Sequence, residues 1–196
     1  SNYGGDSGYL GHAFWDQEFF MWPPMLPLFP KLARAAISYR TGKGRVAAAQ
    51  TIARWLGYAG AKIPLESAMT GYEQVWSSPK YAWEELEGSG CVVWALENYF
   101  KQSGDLQWLR EEASPLLFSI AAFYASRMEP CTPPRNISKY CLNRDMGPDE
   151  SHAPVDNSGF VSGIAAWSLA AGVRASKLLG VPPGANWSQI ADNTYI

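Results

Sequence analysis

Apolar residues recur at helical spacing in successive segments of the chain, and glycine or proline separates each segment from the next. Such periodicity is the main local indicator of secondary structure. No segment alternates apolar and polar residues as a strand does, so the pattern predicts an all-α fold of about six helices. The helices are predicted at 30–39, 46–56, 90–102, 106–128 and 156–179, with a last one beginning at Trp187.

Two long connections interrupt the helices, at 57–88 and 129–155, and both are rich in glycine and proline. Long irregular connections in a compact domain often carry function. Short and long connections alternate, which is typical of the helix pairs of an α/α toroid, whereas a plain helical bundle has shorter loops. The prolines within 14–29 should also prevent a long regular helix there.

Charge and hydropathy narrow the range of partners. The chain has 196 residues, with 16 Lys and Arg against 18 Asp and Glu, a net charge of −2. This balance disfavours a nucleic-acid surface. No apolar run reaches the roughly 18 residues of a membrane span. Nine Trp, ten Tyr and eight Phe suit a sugar-binding cleft, although they also suit an ordinary core.

Cysteines and glycosylation sequons give a weak indication of the compartment. Cys131 and Cys141 flank a proline-rich loop and could form a disulfide, while Cys91 lies in an apolar run and should be buried. Sequons for N-glycosylation begin at Asn136 and Asn186. Because such short patterns arise often by chance, they favour a secreted, extracellular location only weakly.

The aromatic segment 11–18 is the first candidate site. It places Asp16 and Glu18 two positions apart, beside Trp15. A Trp ring can stack on the C–H face of a sugar, and a carboxylate accepts strong hydrogen bonds from sugar hydroxyls. The alternative is an aromatic corner of the core in which Asp16 caps a helix.

The proline-rich loop 146–158 is the second candidate site, because it gathers Asp149, Glu150, His152 and Asp156 just before a helix. Neighbouring carboxylates or burial can raise the pKa of a carboxylic acid, as a general acid working near neutral pH requires. The alternative is a capping cluster with Asp156 at the N-terminus of the helix.

Lys62 marks a weaker third candidate, in the segment 60–67. Its ammonium group could hold a hydroxyl or pair with a carboxylate, and a solvated salt bridge in a loop is the favoured interpretation. The chain has only two His, no Cys/His set at zinc spacing and no glycine-rich loop for a phosphate. The sequence therefore predicts neither a metal nor an organic cofactor.

Four segments in fixed order sharpen this interpretation. They read GHAFWDQEFFMWP (11–23), GYAGAKIPLESA (57–68), GCVVWALENYFKQSGDLQWL (90–109) and GPDESHAPVDNS (147–158). Together they resemble the catalytic domain of glycoside hydrolase family 65, over nearly the whole chain. The resemblance is closest to members that release glucose from the glucosyl-galactosyl unit on collagen hydroxylysine. It implies that residues 1–196 form the N-terminal part, about half, of an (α/α)6 toroid.

The resemblance also implies roles for single residues. Glu150 falls on the family's general acid, and Trp15 and Asp16 fall on the motif that holds the glucose to be released. The leading hypothesis is therefore an inverting α-glucoside hydrolase that acts on a carbohydrate, without nucleic acid, membrane or cofactor, and whose partner is the remaining half of the catalytic domain. The residues assigned to substrate binding are Trp15, Asp16, Lys62, Glu66 and His152.

The sequence departs from the family pattern near the expected pocket. Leu65 stands where the family usually has Trp, Ser151 replaces a Tyr, and Glu87 replaces a His. A catalytically inactive relative that binds sugar or has a structural role therefore stays open. A phosphorylase, in which phosphate replaces water, is the alternative among enzymes. The family's second catalytic carboxylate or phosphate site falls beyond Ile196.

The half-toroid hypothesis makes two structural predictions. The loops that carry Asp16 and Glu150 should meet at one rim if they share a glucose. Apolar faces at the open seams should be only partly covered, which would show that residues 1–196 are not an autonomous domain. The residues expected to be partly covered are Val92, Val93, Leu96, Ile164 and Trp167.

Overall fold

The computed structural model describes residues 10–75, 79–135 and 138–196. Two π-helical segments, Gln17–Met21 and Leu109–Ala113, lead directly into α1 and α7. The α-helices within the described residues are α1 (Trp22–Leu28), α2 (Pro30–Thr41), α3 (Lys43–Trp55), α4 (Pro79–Glu84), α5 (Glu87–Ser103), α6 (Leu106–Trp108), α7 (Ser114–Arg127), α8 (Gly159–Leu179) and α9 (Trp187–Asp192).

The longer helices lie where the periodicity predicts them. α2, α3, α5 and α8 match the predicted helices within a few residues at their ends. The predicted helix 106–128 is divided into α6, the π-helical segment Leu109–Ala113 and α7. Gly104 and Gly180 follow α5 and α8 with φ of 63° and 68°, a left-handed conformation that glycine adopts without a Cβ clash. Asp105 then accepts a hydrogen bond from the Trp108 amide and caps α6, as its position after the break predicts.

The proline-containing stretch before α2 is helical but irregular. Pro23 and Pro24 lie in the first turn of α1, directly after the π-helical segment. Pro27 lies inside the helix, which ends at Leu28. The prediction that no long regular helix runs through this stretch is confirmed, since a five-residue π-helical segment and a seven-residue helix share it.

The packing of α5 differs from the prediction of partly covered seams. α8 packs against α5, α7 and α9, and α5 also contacts α2 and α7. Because three helices enclose α5, its residues Val92, Val93 and Leu96 are fully buried, and the prediction for them is wrong. Ile164 on α8 is buried as well, whereas Trp167 stays 39% exposed.

The long connection 129–155 contains a small sheet that the sequence pattern did not predict. Glu129–Pro130 pairs antiparallel with Tyr140–Cys141, and Cys131 and Cys141 form a disulfide beside this pair. Strands of two residues are too short to show an alternating pattern, which explains the missed prediction. Cys91 is buried, as predicted. The sequon residue Asn136 lies outside the described residues.

The start of α8 also requires a correction. The residue that precedes the helix is Ser158, so Asp156 does not cap it. The Asp156 carboxylate instead accepts a hydrogen bond from the Arg144 amide (3.0 Å) and pairs with Arg135 (3.3 Å). Asp156 therefore holds together the loop that precedes α8. Across the described residues, every helix is too short or too polar to span a membrane.

Candidate functional site

A cleft of about 420 Å³ brings together residues from four separate parts of the chain. Its lining combines carboxyl groups with aromatic and aliphatic side chains. Asp16 and Glu150 both line it, so the prediction that their loops meet at one rim is confirmed. The residues lining the cleft are Phe14, Trp15, Asp16, Leu65, Glu66, Val75, Tyr81, Glu85 and Glu150.

The turn that carries Trp15 and Asp16 is held by backbone and aromatic contacts. Ala13 exchanges two backbone hydrogen bonds with Ser67, of 2.8 and 2.9 Å, which join this turn to the 60–67 loop. The Trp15 ring packs against Phe20 and Phe160, with ring centroids 5.2 and 6.0 Å apart. Trp15 therefore has a fixed ring plane at the wall of the cleft.

The Asp16 carboxyl is available to the cleft, because it makes no capping hydrogen bond to the following helical turn. The alternative interpretation of Asp16 as a helix cap is therefore wrong. Burial, and next the negative charge of Glu18, raise the pKa of Asp16 above its ordinary value. Such a carboxyl gains from hydrogen-bond donors brought by a ligand.

A buried ion pair lies beneath this turn. Arg40 donates to both carboxylate oxygens of Glu18, at 2.8 and 3.0 Å, and both side chains are almost fully buried. The same guanidinium donates to Ser67 Oγ at 3.0 Å. Arg40 on α2 thus ties the helical segment after Asp16 to the 60–67 loop.

The 60–67 loop enters the core through Gly60. A Cβ at this position would lie 2.1 Å from the Ser119 carbonyl oxygen, and the φ of Gly60 is +75°. The close approach allows the next residue, Ala61, to donate to the same carbonyl at 2.9 Å. Lys62 then donates its amide to Ala49 on α3. The loop is therefore fixed by backbone groups rather than by surface side chains.

Lys62 does not occupy the position that the sequence predicts for it. The side chain is fully buried and is not among the residues that line the cleft, so a solvated salt bridge is excluded. Burial lowers the pKa of Lys62, while the charges of Glu73, Glu85 and Glu87 oppose this effect. Lys62 can therefore act on the cleft only indirectly, through Glu85, which lines it, or through Glu73, which holds the amides of Leu65 and Glu66.

Glu66 lies in the cleft wall and is held from two sides. His12 Nδ1 and Glu66 Oε2 are 3.0 Å apart. The Glu73 carboxylate accepts hydrogen bonds from the amides of Leu65 (2.8 Å) and Glu66 (3.2 Å). A buried carboxylate thus shapes the loop at Leu65, where the family pattern has Trp.

Glu150 is carried by a loop that is fixed at its base. Asp145 and Val155 exchange backbone hydrogen bonds of 2.8 and 2.9 Å across the two ends of the loop. The Met146 amide donates to the Glu84 carbonyl at 2.8 Å, which places the loop beside Glu85. Glu150 itself is exposed, in the single 3-10 turn Glu150–His152.

His152, like Lys62, is a predicted site residue that does not line the cleft. Its side chain is 80% exposed and its Nδ1 lies 2.6 Å from Asp149 Oδ2. That contact, which is stronger when the imidazole is protonated, lowers the pKa of Asp149. Asp149 also accepts the Ser151 amide hydrogen bond and caps the 3-10 turn. In this chain His152 therefore supports the shape of the Glu150 turn.

Of two glutamates beside the cleft, Glu85 was missed as a functional candidate, and Glu87 was noted only as a departure from the family pattern. Glu85 lines the cleft, and Glu87 lies behind it at the start of α5. Burial, followed by the negative charge of Glu87, raises the pKa of Glu85 to about 10, and burial raises that of Glu87 to about 7. The run Glu84-Glu85-Leu86-Glu87 before an apolar helix is the signal that could have revealed them.

The arrangement suits a neutral polyhydroxylated ligand. Carboxyl groups on several sides can bind hydroxyl groups, and the Trp15 ring offers an apolar face. Among the described residues, no group of three or more His, Cys, Asp or Glu is arranged to hold a metal ion. The cleft therefore places carboxyl groups around an aromatic ring face.

Comparison with known proteins identifies the family. The model of the glycosyl hydrolase family 65 central catalytic domain matches residues 4–195, so the chain belongs to this family. The structure described as "Putative kojibiose phosphorylase from human microbiome" superposes with a TM-score of 0.81 at 21% identity. The superposed region covers 97% of this chain and 26% of the chain in that structure. The fold is accordingly all-α and forms part of an α/α toroid.

Curated relatives share the sequence over most of this chain. A kojibiose hydrolase from Flavobacterium johnsoniae is 35% identical over 96% of the chain and 27% of its own length. A protein-glucosylgalactosylhydroxylysine glucosidase from Danio rerio is 34% identical over 100% of the chain and 29% of its own length. A kojibiose phosphorylase from Thermoanaerobacter brockii is 31% identical over 88% of the chain and 23% of its own length. The chain thus spans about a quarter of the length of these relatives.

Proposed function

We propose that the protein containing this chain is an inverting α-glucoside hydrolase with Glu150 as its general acid. The convergence of Trp15, Asp16 and Glu150 on one cleft is the observation that carries the proposal. Family membership, and relatives named as a kojibiose hydrolase and a glucosylgalactosylhydroxylysine glucosidase, support it. The substrate would be a glucosyl-galactosyl-hydroxylysine unit or a related α-glucosidic disaccharide.

In this mechanism each residue has one task. The Trp15 ring would stack on the terminal glucose, and the Asp16 carboxylate would accept hydrogen bonds from its hydroxyls. Glu66 would bind a further hydroxyl from the opposite loop. Glu150 would donate its proton to the glycosidic oxygen while the bond from that oxygen to the anomeric carbon breaks.

A water molecule on the opposite face of the sugar would complete the reaction. It would form the new bond to the anomeric carbon and lose a proton to a carboxylate base from another part of the protein. Inverting enzymes keep their two carboxyl groups roughly 6.5–9.5 Å apart to leave room for this water. Proton transfer and positioning supply the chemistry, so the mechanism requires no cofactor.

The mechanism takes its catalytic base from another part of the protein, which is one reason to propose that residues 1–196 are the N-terminal part of a larger catalytic domain. The other is the set of large apolar side chains exposed around α1 and α2. Such a patch is typical of an interface, and we propose that the rest of the domain covers it. The residues of this patch are Phe20, Leu28, Phe29 and Leu32, between 57% and 69% exposed.

The test is to replace Glu150 in the longer protein that contains this chain. Glu150→Gln should lower the turnover of kojibiose and of glucosyl-galactosyl-hydroxylysine by about 10²–10⁴-fold, the usual contribution of a general acid. The matched control is Glu111→Gln, an exposed glutamate in the middle of the π-helical segment Leu109–Ala113. Unchanged turnover in Glu150→Gln would refute the assignment.

A phosphorylase is the second candidate, because relatives named as kojibiose phosphorylases are 31% identical to this chain. In that reaction inorganic phosphate takes the place of the attacking water. Assaying each substrate with and without phosphate separates the two reactions. Glucose formed without phosphate supports hydrolysis, and glucose 1-phosphate formed only with phosphate supports phosphorolysis.

A further inference from the structure

Glu85 is a buried carboxyl group that faces the cleft without a complete set of partners. The residue is 5% exposed, yet it lines the cleft together with Asp16 and Glu150. Its Oε2 atom is buried and has no hydrogen-bond partner among the described residues. Buried polar atoms in folded proteins are normally paired, so an unpaired one at a ligand cleft needs a partner.

The surroundings of Glu85 decide which kind of partner it needs. Burial removes it from water, Glu87 opposes its ionisation by its negative charge and by a side-chain hydrogen bond, and the charge of Glu150 adds to this effect. The Lys62 ammonium is the opposing positive charge, and it is shared with Glu73 and Glu87. Together these effects favour the protonated carboxyl, which unlike a carboxylate can donate a hydrogen bond.

Two of the other cleft carboxyl groups cannot supply such a donor, because Asp16 and Glu66 only accept hydrogen bonds when they are ionised. The proton of Glu150 is assigned to the glycosidic oxygen, which leaves the ring oxygen without a donor. The ring oxygen and the glycosidic oxygen of a sugar also only accept. A neutral carboxyl in the cleft wall would complement these atoms, whereas a carboxylate there would repel them.

We propose that Glu85 is a further sugar-binding residue whose carboxyl group donates a hydrogen bond to an acceptor oxygen of the bound α-glucoside. The inference rests on the proposed function in one respect, that the cleft binds an α-glucoside. It adds a contact from the short connection between α4 and α5, which the family motifs in this sequence do not include. Lys62 and Glu87 are then positioning residues, because they do not line the cleft and act on Glu85.

The experiment measures the affinity for kojibiose rather than its turnover. Isothermal calorimetry is performed on the longer protein with Glu150→Gln as the common background. Adding Glu85→Leu removes the donor with little change in side-chain volume and should weaken binding about five- to tenfold, as expected for one neutral hydrogen bond. Adding Glu85→Gln keeps a neutral donor and should retain affinity within about twofold.

Melting temperatures distinguish a ligand contact from a structural role, because a structural role for Glu85 predicts that Glu85→Leu melts at a lower temperature. Replacing a buried neutral acid by Leu should leave the melting temperature unchanged or raise it, so lost affinity with an intact fold identifies a ligand contact. Should Glu85→Leu fail to fold, Glu85→Ala takes its place. The matched control is Glu97→Gln, a buried glutamate bound to Arg174 away from the cleft, which should bind kojibiose normally.

The outcomes separate this inference from the proposed function. Equal kojibiose affinity in the Glu85→Leu and background proteins would overturn the role of Glu85 and leave the hydrolase proposal standing. Weak binding by both Glu85→Leu and Glu85→Gln would also overturn it, because the neutral donor then has no special value. If neither kojibiose nor glucosyl-galactosyl-hydroxylysine binds the background protein, both proposals fail together.

Discussion

Arg40 donates two hydrogen bonds to the Glu18 carboxylate, of 2.8 and 3.0 Å, directly beneath the turn that carries Asp16. Both side chains are at most 3% exposed, so neither charge can be solvated if its partner is removed. The pair links α2 to the first site segment, and the Arg40 bond to Ser67 extends the link to the second. The position of Asp16 therefore depends on a charge pair whose two residues do not line the cleft.

Replacing Arg40 by Met tests this dependence. An unpaired Glu18 carboxylate would remain buried, which should destabilise the protein by about 3–5 kcal/mol. The double variant Glu18→Leu with Arg40→Met should recover much of this loss, because no buried charge is left. Denaturant unfolding of the four proteins gives the coupling free energy, and additive effects would contradict the prediction.

Arg174→Met is the matched control for that experiment. Arg174 makes a similar pair of hydrogen bonds to Glu97, but its side chain is 45% exposed. Because Arg174 is half exposed and Lys101 also pairs with Glu97 at 3.4 Å, the loss of Arg174 should cost only about 0–1 kcal/mol.

Gly60→Ala should destabilise the protein more than any exposed glycine substitution. A Cβ there would lie 2.1 Å from the Ser119 carbonyl oxygen, and the backbone has a positive φ. We expect a loss of at least about 3 kcal/mol, since both a clash and the left-handed conformation oppose the methyl group. Gly57→Ala is the control, because Gly57 has φ +85° but no atom within 4 Å of a Cβ. It should cost about 1 kcal/mol, and equal losses would show that the close approach is not tight.

The stability of the protein should decrease as pH rises above 4.5. The raised pKa values of Glu85 and Glu87 mean that the folded state holds protons that the unfolded state has released. Their contribution is complete below the unfolded value of 4.5 and is lost as pH rises through the folded values of about 7 and about 10. Lys62 and Glu150, which also face Glu85, are the other charges in this balance.

Glu87→Gln isolates one of these groups. The variant cannot ionise at this position, so between pH 5 and 7 its stability should fall less steeply than that of the parent, by up to about 1.4 kcal/mol per pH unit. Urea unfolding at several pH values gives both slopes. Parallel curves would show that Glu87 ionises equally in the folded and unfolded states.

The disulfide gives a prediction for the loop that precedes Glu150. Replacing Cys131 and Cys141 together by Ser should lower stability by roughly 2–3 kcal/mol, the entropic effect expected for a short closed loop. The melting temperature with and without a reductant provides the measurement. The prediction would be contradicted if the parent protein were insensitive to reductant and the variant were equally stable.

The helices were predictable from the sequence, but the complete burial of their apolar faces was not. Leu96 and Ile164 marked real helical faces, yet nothing local could show that neighbouring helices cover them completely. Lys62 illustrates the same limit, since a lysine in a glycine-rich loop normally faces water, and only the entry of the loop through Gly60 buries it. Tertiary packing decided these cases.

The candidate site was predictable to the extent that short motifs carry it. Trp15, Asp16, Glu66 and Glu150 were named from the sequence and share one cleft. Glu85 and Tyr81 were missed, because their motif has no established chemistry and their position depends on how the Met146 amide joins Glu84.

The walls of the cleft are joined mainly by main-chain groups, from Ala13 to Ser67, from Met146 to Glu84 and from Asp145 to Val155. Main-chain donors and acceptors are present whatever side chain a position carries, apart from the missing donor of proline. Side chains such as Leu65 and Ser151 can therefore change over evolutionary time while the loops keep their course. Substitutions at such positions can consequently alter the lining of the cleft without removing these main-chain hydrogen bonds.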